Sequence, residues 1–147
     1  MKKINLELEI YSYHIDAFGH VSNSAYIQWM DAGRNHLLEE VGLPIHETLS
    51  SGFAMVLVHT SITYKAPLYL HEWVDLRLWL SEVRNASITM KFSFWDDELR
   101  VVAEGMQRGI FVEMETMRPR RLSSEEKALF LPYLDETVTP IPSCWMD

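Results

Sequence analysis

Ser24-Ala25-Tyr26-Ile27-Gln28-Trp29-Met30-Asp31-Ala32-Gly33-Arg34-Asn35-His36-Leu37-Leu38-Glu39-Glu40-Val41 is the stretch on which the fold turns. Tyr26, Trp29, Met30, Gly33, Leu37 and Val41 recur at steps of three and four, which puts them on one helical face. Asp31, Arg34, Asn35 and Glu39 lie towards the other side. Ser22, Asn23 and Ser24 are all suited to cap the orphan amides at the start, and Gly42 followed by Pro44 supplies the stop. A helix from 24 to 41 would be a rod of about 27 Å. Gly33 on its buried face costs about 1 kcal/mol against alanine, and close approach to a sheet would explain it.

On either side of this helix the period falls to two. Ile4, Leu6, Leu8 and Ile10 alternate with Lys3, Asn5, Glu7 and Glu9, the pattern of a half-buried strand. Phe53 to Tyr64 is apolar on both faces at its start (Ala54, Met55, Val56, Leu57, Val58), which predicts a central strand. Val74-to-Leu80 and Ile88-to-Phe94 alternate again, and Arg100 to Val112 is a fourth long run. Turn-like residues at Arg84-Asn85 and Asp96-Asp97-Glu98 favour antiparallel hairpins. Ser123-Ser124-Glu125-Glu126-Lys127 reads as a further helix start. One apolar-striped helix and five antiparallel strands bury each other if the sheet curls round the helix, so the expectation is an α+β fold with a long central helix wrapped by a five-stranded antiparallel sheet. Residues 1–136 read as one domain and 137–147, with two prolines, as a loose C-terminal tail. Trp73, Trp79 and Trp95 point outward, so a second copy is expected to cover that face, in a dimer or tetramer.

Composition narrows the function. The 147 residues are 48% hydrophobic and 23% charged, an ordinary globular balance that excludes disorder for the bulk of the chain. A single cysteine excludes a disulfide scaffold. The net charge of −8 argues against a nucleic-acid partner. No apolar run reaches the length of a membrane span, and no signal-peptide core follows Lys2-Lys3, so no membrane partner and a cytoplasmic location are expected. Six histidines without paired metal spacing give no support for a metal, and neither a Gly-x-Ser-x-Gly elbow nor a glycine-rich phosphate loop is present.

The chemistry is best sought where the first strand meets the helix. Asp16, Gly19, His20, Ser22 and Asn23 crowd into eight positions before a helix N-terminus, which offers unpaired amides and the positive end of the dipole. An ester or thioester carbonyl placed there would be polarised, and a carboxylate beside it could attack the carbon or activate water. Gly19 lets the backbone turn sharply or approach a ligand. The plainer alternative is that Asp16, Ser22 and Asn23 only form turns and caps. His59, mid-strand, either reaches a pocket or is a satisfied core histidine. Arg118, Arg120 and Arg121 are the one basic cluster, fitted to phosphates or else a solvated charge run. Tyr13, Phe18, Trp29 and Phe53 suit an acyl pocket or a core equally.

Asp16-Ala17-Phe18-Gly19-His20-Val21-Ser22-Asn23-Ser24-Ala25-Tyr26 resembles the signature of the hotdog-fold acyl-CoA thioesterases of the 4-hydroxybenzoyl-CoA thioesterase type. Those carry an aspartate, then Gly-His-Val or Gly-Val-Val, an asparagine and an aromatic residue opening the central helix. Met30-Asp31-Ala32-Gly33-Arg34 is similar to the family's acidic-Ala-x-Arg segment, and Tyr64-Lys65-Ala66-Pro67 to the Tyr-x-x-Pro ending its next strand. The resemblance implies hydrolysis of a fatty-acyl- or aryl-CoA, with Asp16 as catalytic base or nucleophile. It implies that His20 and Asn23 line or brace the site and that Tyr26 is the helix aromatic; Gly19, Ser24 and Ala25 complete the expected substrate site, and His59, Arg120 and Arg121, read from the residues alone, are further candidates. The amides near Asn23 to Tyr26 would hold the carbonyl oxygen. It implies a homo-oligomer with the site in a cleft between subunits, no metal or redox cofactor, and coenzyme A arriving only as part of the substrate. A hydratase or dehydratase on the same fold, and a non-catalytic acyl-binding module, are the alternatives. Two departures stand out: Ser22-Asn23 where the family often has Asn-Asn, and His14 where it often has an acid two before the aspartate. The second either alters the protonation of Asp16 or leaves it alone.

Overall fold

The computed structural model describes residues 1–135, so the expected 137–147 tail lies outside the described residues. Five strands form one antiparallel sheet: β1 (Ile4–Glu9), β2 (Phe53–Tyr64), β3 (Trp73–Val83), β4 (Ser87–Trp95) and β5 (Val101–Glu113), in the order β1-β3-β4-β5-β2. Three helices accompany them: α1 (Asn23–Glu40), α2 (Ile45–Ser50) and α3 (Ser124–Phe130). The expected helix is there, displaced by one residue at each end. Ser22 is its cap and accepts from the Ala25 amide. The second helix start is there too: Ser123 accepts from the Glu126 amide while Glu126 reaches back to the Ser123 amide, a reciprocal capping box. The short α2 went unread because six residues hold less than two turns of periodicity, and Pro44, taken only as a stop, also opens it.

The α1 stripe faces the sheet: Tyr26, Trp29, Met30, Gly33 and Leu37 are all buried. A Cβ on Gly33 would stand 3.1 Å from Leu76 Cδ2, 3.5 Å from Leu78 and 3.6 Å from Phe92. Helix and sheet therefore touch through the missing side chain, as the buried glycine implied. The opposing β5 is thinned in the same way, since a Cβ on Gly105 would meet Met30 Cε at 2.9 Å. Fully burying each large apolar side chain of the stripe contributes about 1.5–3 kcal/mol.

One expectation changes. Phe53–Tyr64 is an edge strand, pairing only with β5 among the described strands, although its composition predicted a central position. Leu57 and Val58 are exposed at a register shift in the middle of it. The outward tryptophans are partly covered within the chain, which leaves the expected second copy untouched. Lys3 Nζ lies 4.6 Å from the Trp79 ring centroid, and the Arg77 guanidinium 4.3 Å from that of Trp95. Trp73 stays exposed. Among the described residues no helix is long and apolar enough to cross a membrane.

The helix–sheet contact makes a prediction. Gly33→Val should destabilise the fold by about 1–3 kcal/mol through overpacking against Leu76, whereas Gly33→Ala should be close to neutral, its gain in helix propensity of about 1 kcal/mol offsetting the push on a flexible Leu76 methyl. Urea unfolding curves measure both, and a Gly33→Val protein as stable as the wild type would contradict the contact.

Candidate active site

β1 ends at Glu9, a 3-10 turn follows over Ser12–His14, and the chain then makes a small hairpin before entering α1. The hairpin closes through an Ile15–Val21 bridge and a bond from the Asp16 amide to the His20 carbonyl at 2.8 Å. Gly19 takes φ +82°, a backbone setting that glycine adopts without strain, which is why glycine stands there. Asp16 organises the tip. Its Oδ1 accepts the Phe18 amide at 2.8 Å and the His20 amide at 3.2 Å. Both bonds go to Oδ1; Oδ2 takes neither. The turn role of Asp16 is thus real; it engages one carboxylate oxygen, and the residue itself is exposed.

The hairpin is fastened on two sides. The Val21 amide donates to the Leu68 carbonyl at 2.9 Å, and the His20 ring stands edge-on to Tyr69 at 5.3 Å. The Ser22 amide donates to the His14 carbonyl at 2.7 Å. This brings Asp16, Gly19 and His20 beside the first turn of α1, where Asn23 and Ser24 are exposed. The Ala25 amide already points at Ser22, to its carbonyl at 3.1 Å and its Oγ at 3.4 Å. Of the four expected oxyanion donors, Ala25 is therefore occupied, and the exposed pair Asn23 and Ser24 is the better candidate.

Tyr26 is not on the surface. It is 2% exposed, with its ring 5.1 Å from those of Tyr64 and Phe94 and 5.4 Å from Trp29. Burial, followed by the neighbouring Tyr64 and Glu72, pushes its phenol well above the ordinary range, so it stays protonated. Its part is to floor the site as core. Trp29 and Phe53 are likewise core, whereas Tyr13 and Phe18 are exposed. With Tyr11, Tyr69 and Leu70, also exposed, they supply apolar surface on the hairpin and the elements that flank it.

The remaining candidates lie elsewhere. His59 is five residues before Tyr64, about 16 Å back along the strand. It is half-buried, with Nε2 enclosed and no hydrogen-bond partner among the described residues. It is neither at the hairpin nor a satisfied core histidine. Arg120 lies over the Phe53 ring at 3.8 Å and donates to Glu126 at 3.0 Å. Phe53 and Tyr64 are opposite ends of β2, about 36 Å apart, so the protomer does not bring Arg120 or its neighbour Arg121 to Asp16. Arg120 is moreover committed to Glu126, while Arg118 and Arg121 are exposed. The sequence showed Glu126 as part of a cap, and nothing local announced the arginine it also holds.

Three features were missed. His14 is buried, with Nδ1 accepting the Tyr11 amide at 2.9 Å, and burial holds its pKa below the usual histidine value. The segment after Tyr64 braces the hairpin through Leu68 and Tyr69. Arg34, which sits three residues after Asp31 and is ion-paired to it, crosses to the buried Gln107 on β5 at 3.1 Å. A depression of about 250 Å³ lined by Glu7, Trp73, Asp75, Asp96 and Asp97 contains none of the candidates. No cluster of three or more His, Cys, Asp or Glu that could hold a metal occurs among the described residues.

Comparison with known proteins completes the picture. The model of the thioesterase-like superfamily matches residues 12–143. A putative acyl-CoA thioesterase of Bacillus subtilis, YneP, is 22% identical over 113 residues, covering 77% of this chain and 82% of its own. Two solved structures share the five-stranded hotdog fold. The 1,4-dihydroxy-2-naphthoyl-CoA thioesterase of Synechocystis has a TM-score of 0.81 at 17% identity, covering 88% of this chain and 96% of its own. The Staphylococcus aureus protein SAV2348, solved in complex with CoA, has a TM-score of 0.86 at 13% identity, covering 95% of this chain and 89% of its own.

The hairpin geometry is testable through stability alone. Asp16→Ala removes the oxygen that accepts both amides and should cost about 1 kcal/mol, whereas Asp16→Asn keeps an oxygen at the Oδ1 position and should unfold with the wild type. Equal stability of the alanine variant would show that Asp16 does not organise the turn.

Proposed function

The chain belongs to the thioesterase-like superfamily, and on that premise we propose that it is an acyl-CoA thioesterase whose chemistry is carried by Asp16. The observation that carries the reading is the asymmetric carboxylate: Oδ1 is pinned by two amides, Oδ2 accepts neither, and Asp16 is an exposed residue on the hairpin that runs into the Ser22 cap of α1. A carboxylate fixed by one oxygen keeps the other in a set direction, the geometry wanted of a general base or nucleophile.

The substrate carbonyl lies between Asp16 and the first turn of α1. As a base, Asp16 takes a proton from water as the water oxygen attacks the carbonyl carbon; as a nucleophile, it forms an anhydride that water then opens. In either course the carbonyl oxygen becomes an oxyanion facing the Asn23 and Ser24 amides and the positive helix end. The carbon–sulfur bond breaks, the acid is released, and coenzyme A departs as the thiol. Gly19 and His20 border the carbonyl, and the exposed aromatic residues of the hairpin take the acyl group. Residues 1–136 act as the single catalytic domain, with the sheet curled round α1 as its central helix.

A second copy completes the site. An edge strand with exposed Leu57 and Val58 and apolar residues on both faces is a template for another strand. Antiparallel pairing of β2 with its copy brings the Phe53 end of one chain, with Arg120 and Arg121, beside the Tyr64 end and the Asp16 hairpin of the other. Arg121, exposed, is then placed for the phosphates of coenzyme A, and Arg120 acts through its hold on Glu126.

Two predictions follow from this reading. Thiol release from a panel of aliphatic and aromatic acyl-CoAs should fall about 10²–10⁴-fold in Asp16→Asn with the fold intact; no release from any member by the wild type would overturn the activity, and equal rates would remove Asp16 from it. Sedimentation should find at least a dimer, and Val58→Lys at the strand edge should shift it to monomer and abolish turnover. A monomeric wild type with full activity would overturn the shared site.

A further inference from the structure

His14 stands two residues before Asp16 and joins the two elements between which the hairpin hangs. On the strand side its amide donates to the Tyr11 carbonyl at 2.9 Å, and its ring Nδ1 accepts the Tyr11 amide at 2.9 Å. On the helix side its carbonyl accepts the amide of Ser22, the α1 cap, at 2.7 Å. The imidazole is walled by aromatic rings at centroid distances of 4.3 Å (Tyr13), 5.1 Å (Trp29) and 5.9 Å (Tyr11). An Nδ1 that accepts a hydrogen bond carries no proton, so the remaining proton is on Nε2.

We propose that His14 is a positioning residue for the acyl-CoA site: its ring, as the neutral Nε2–H tautomer, fixes the turn from Tyr11 to His14, the main-chain carbonyl of that turn holds the α1 cap, and the two together form a clamp that fixes the distance between the Asp16 carboxylate and the amides of Asn23 and Ser24. The inference rests on the assignment of Asp16 above. His14 touches no reacting atom. It acts through the Ser22 amide, since Asn23 and Ser24 follow that residue directly, and through Ile15, which opens the hairpin. An acidic side chain at this position would offer an oxygen to the Tyr11 amide at any pH above its own titration. A histidine does so only while neutral.

That difference makes the clamp sensitive to acid. The groups facing the ring are Tyr11 and Tyr13 from its own turn and Trp29 from α1, none of them charged at neutral pH. The Glu9 carboxylate is engaged by the Tyr11 hydroxyl at 2.9 Å, and Asp16 Oδ1 by its two amides. Burial therefore acts on the ring without a compensating ion pair and lowers its pKa from 6.5. The unfolded histidine takes its proton first as pH falls. The stability supplied by the clamp is full above about 6.5 and is lost as pH drops from there through the lower folded value. A proton on Nδ1 also removes the acceptor for Tyr11.

The test uses the full chain and two kinds of readout. Imidazole nitrogen chemical shifts should show His14 as the Nε2–H tautomer with a midpoint below 6.5, and the Tyr11 and Ser22 amides should lose exchange protection as it titrates. In thiol release from an acyl-CoA, His14→Phe, which keeps a ring but no acceptor, should lower kcat about tenfold with little change in KM. His14→Asn, whose side-chain oxygen can replace Nδ1, should recover most of that loss and move the acid limb of the rate profile to lower pH. The Nδ1–H tautomer, a midpoint at or above 6.5, or a His14→Phe kcat equal to wild type would each overturn the proposal. A wild type that releases no thiol would overturn the activity instead, and the chemical shifts and exchange rates would still decide the role of His14.

Discussion

The height at which α1 lies over the sheet governs everything built at its N-terminus. That height is set where Gly33 has no side chain, with the Leu76 methyl at 3.1 Å from the place a Cβ would take. Close-packed interiors do not yield continuously, so a helix lifted here is lifted along its length. Ser22, the helix cap, is tied to His14, and His14 to the end of β1. The hairpin bearing Asp16 is strung between those points and braced from the third side by Leu68. A contact deep in the core thus sets the spacing of a carboxylate and two amides at the surface.

The same constraint bears on the turn role of Asp16 and on the catalytic role proposed for it. Turn residues and catalytic residues compete for the same local sequence, because Asp, Gly, Ser and Asn serve both. Here the turn engages Oδ1 alone, and Oδ2 accepts neither amide. The alternative that these residues are merely structural is correct as far as Oδ1, Ser22 and the Ala25 amide are concerned. In the proposed mechanism the chemistry falls to Oδ2 and to the amides of Asn23 and Ser24 that follow the cap.

Most of the architecture was legible because burial imprints a period on the chain. The 3.6-residue stripe from Tyr26 to Leu37 and the alternation in β1 and β3 each report one more deeply buried face, whereas β4 alternates in sequence but buries Thr89 and Ser93 on its other face as well. Periodicity reports whether a face is covered and not by what. That is why Phe53–Tyr64, apolar on both faces, was placed in the middle of the sheet when it is at the edge. It is also why the contact of Lys3, seventy-six positions earlier in the chain, with Trp79 could not be read from the sequence. The hairpin and cap from Asp16 to Ser24 were legible as turn-forming sequence, whereas whatever depended on contacts across the chain was not. His14 carries no local signal for its bond to the α1 cap, and Arg120 none for its distance from Asp16.

The central claim is that the substrate carbonyl sits between the Asp16 hairpin and the first turn of α1. The most direct measurement is a titration with an acyl-CoA analogue carrying a methylene ketone in place of the thioester, followed by backbone amide chemical shifts. The account predicts that the largest saturable shifts fall on Asp16 to His20 and on Asn23 and Ser24. Shifts concentrated on the outer face of the sheet, or around the Glu7 and Asp96 depression, would place the ligand elsewhere and contradict it.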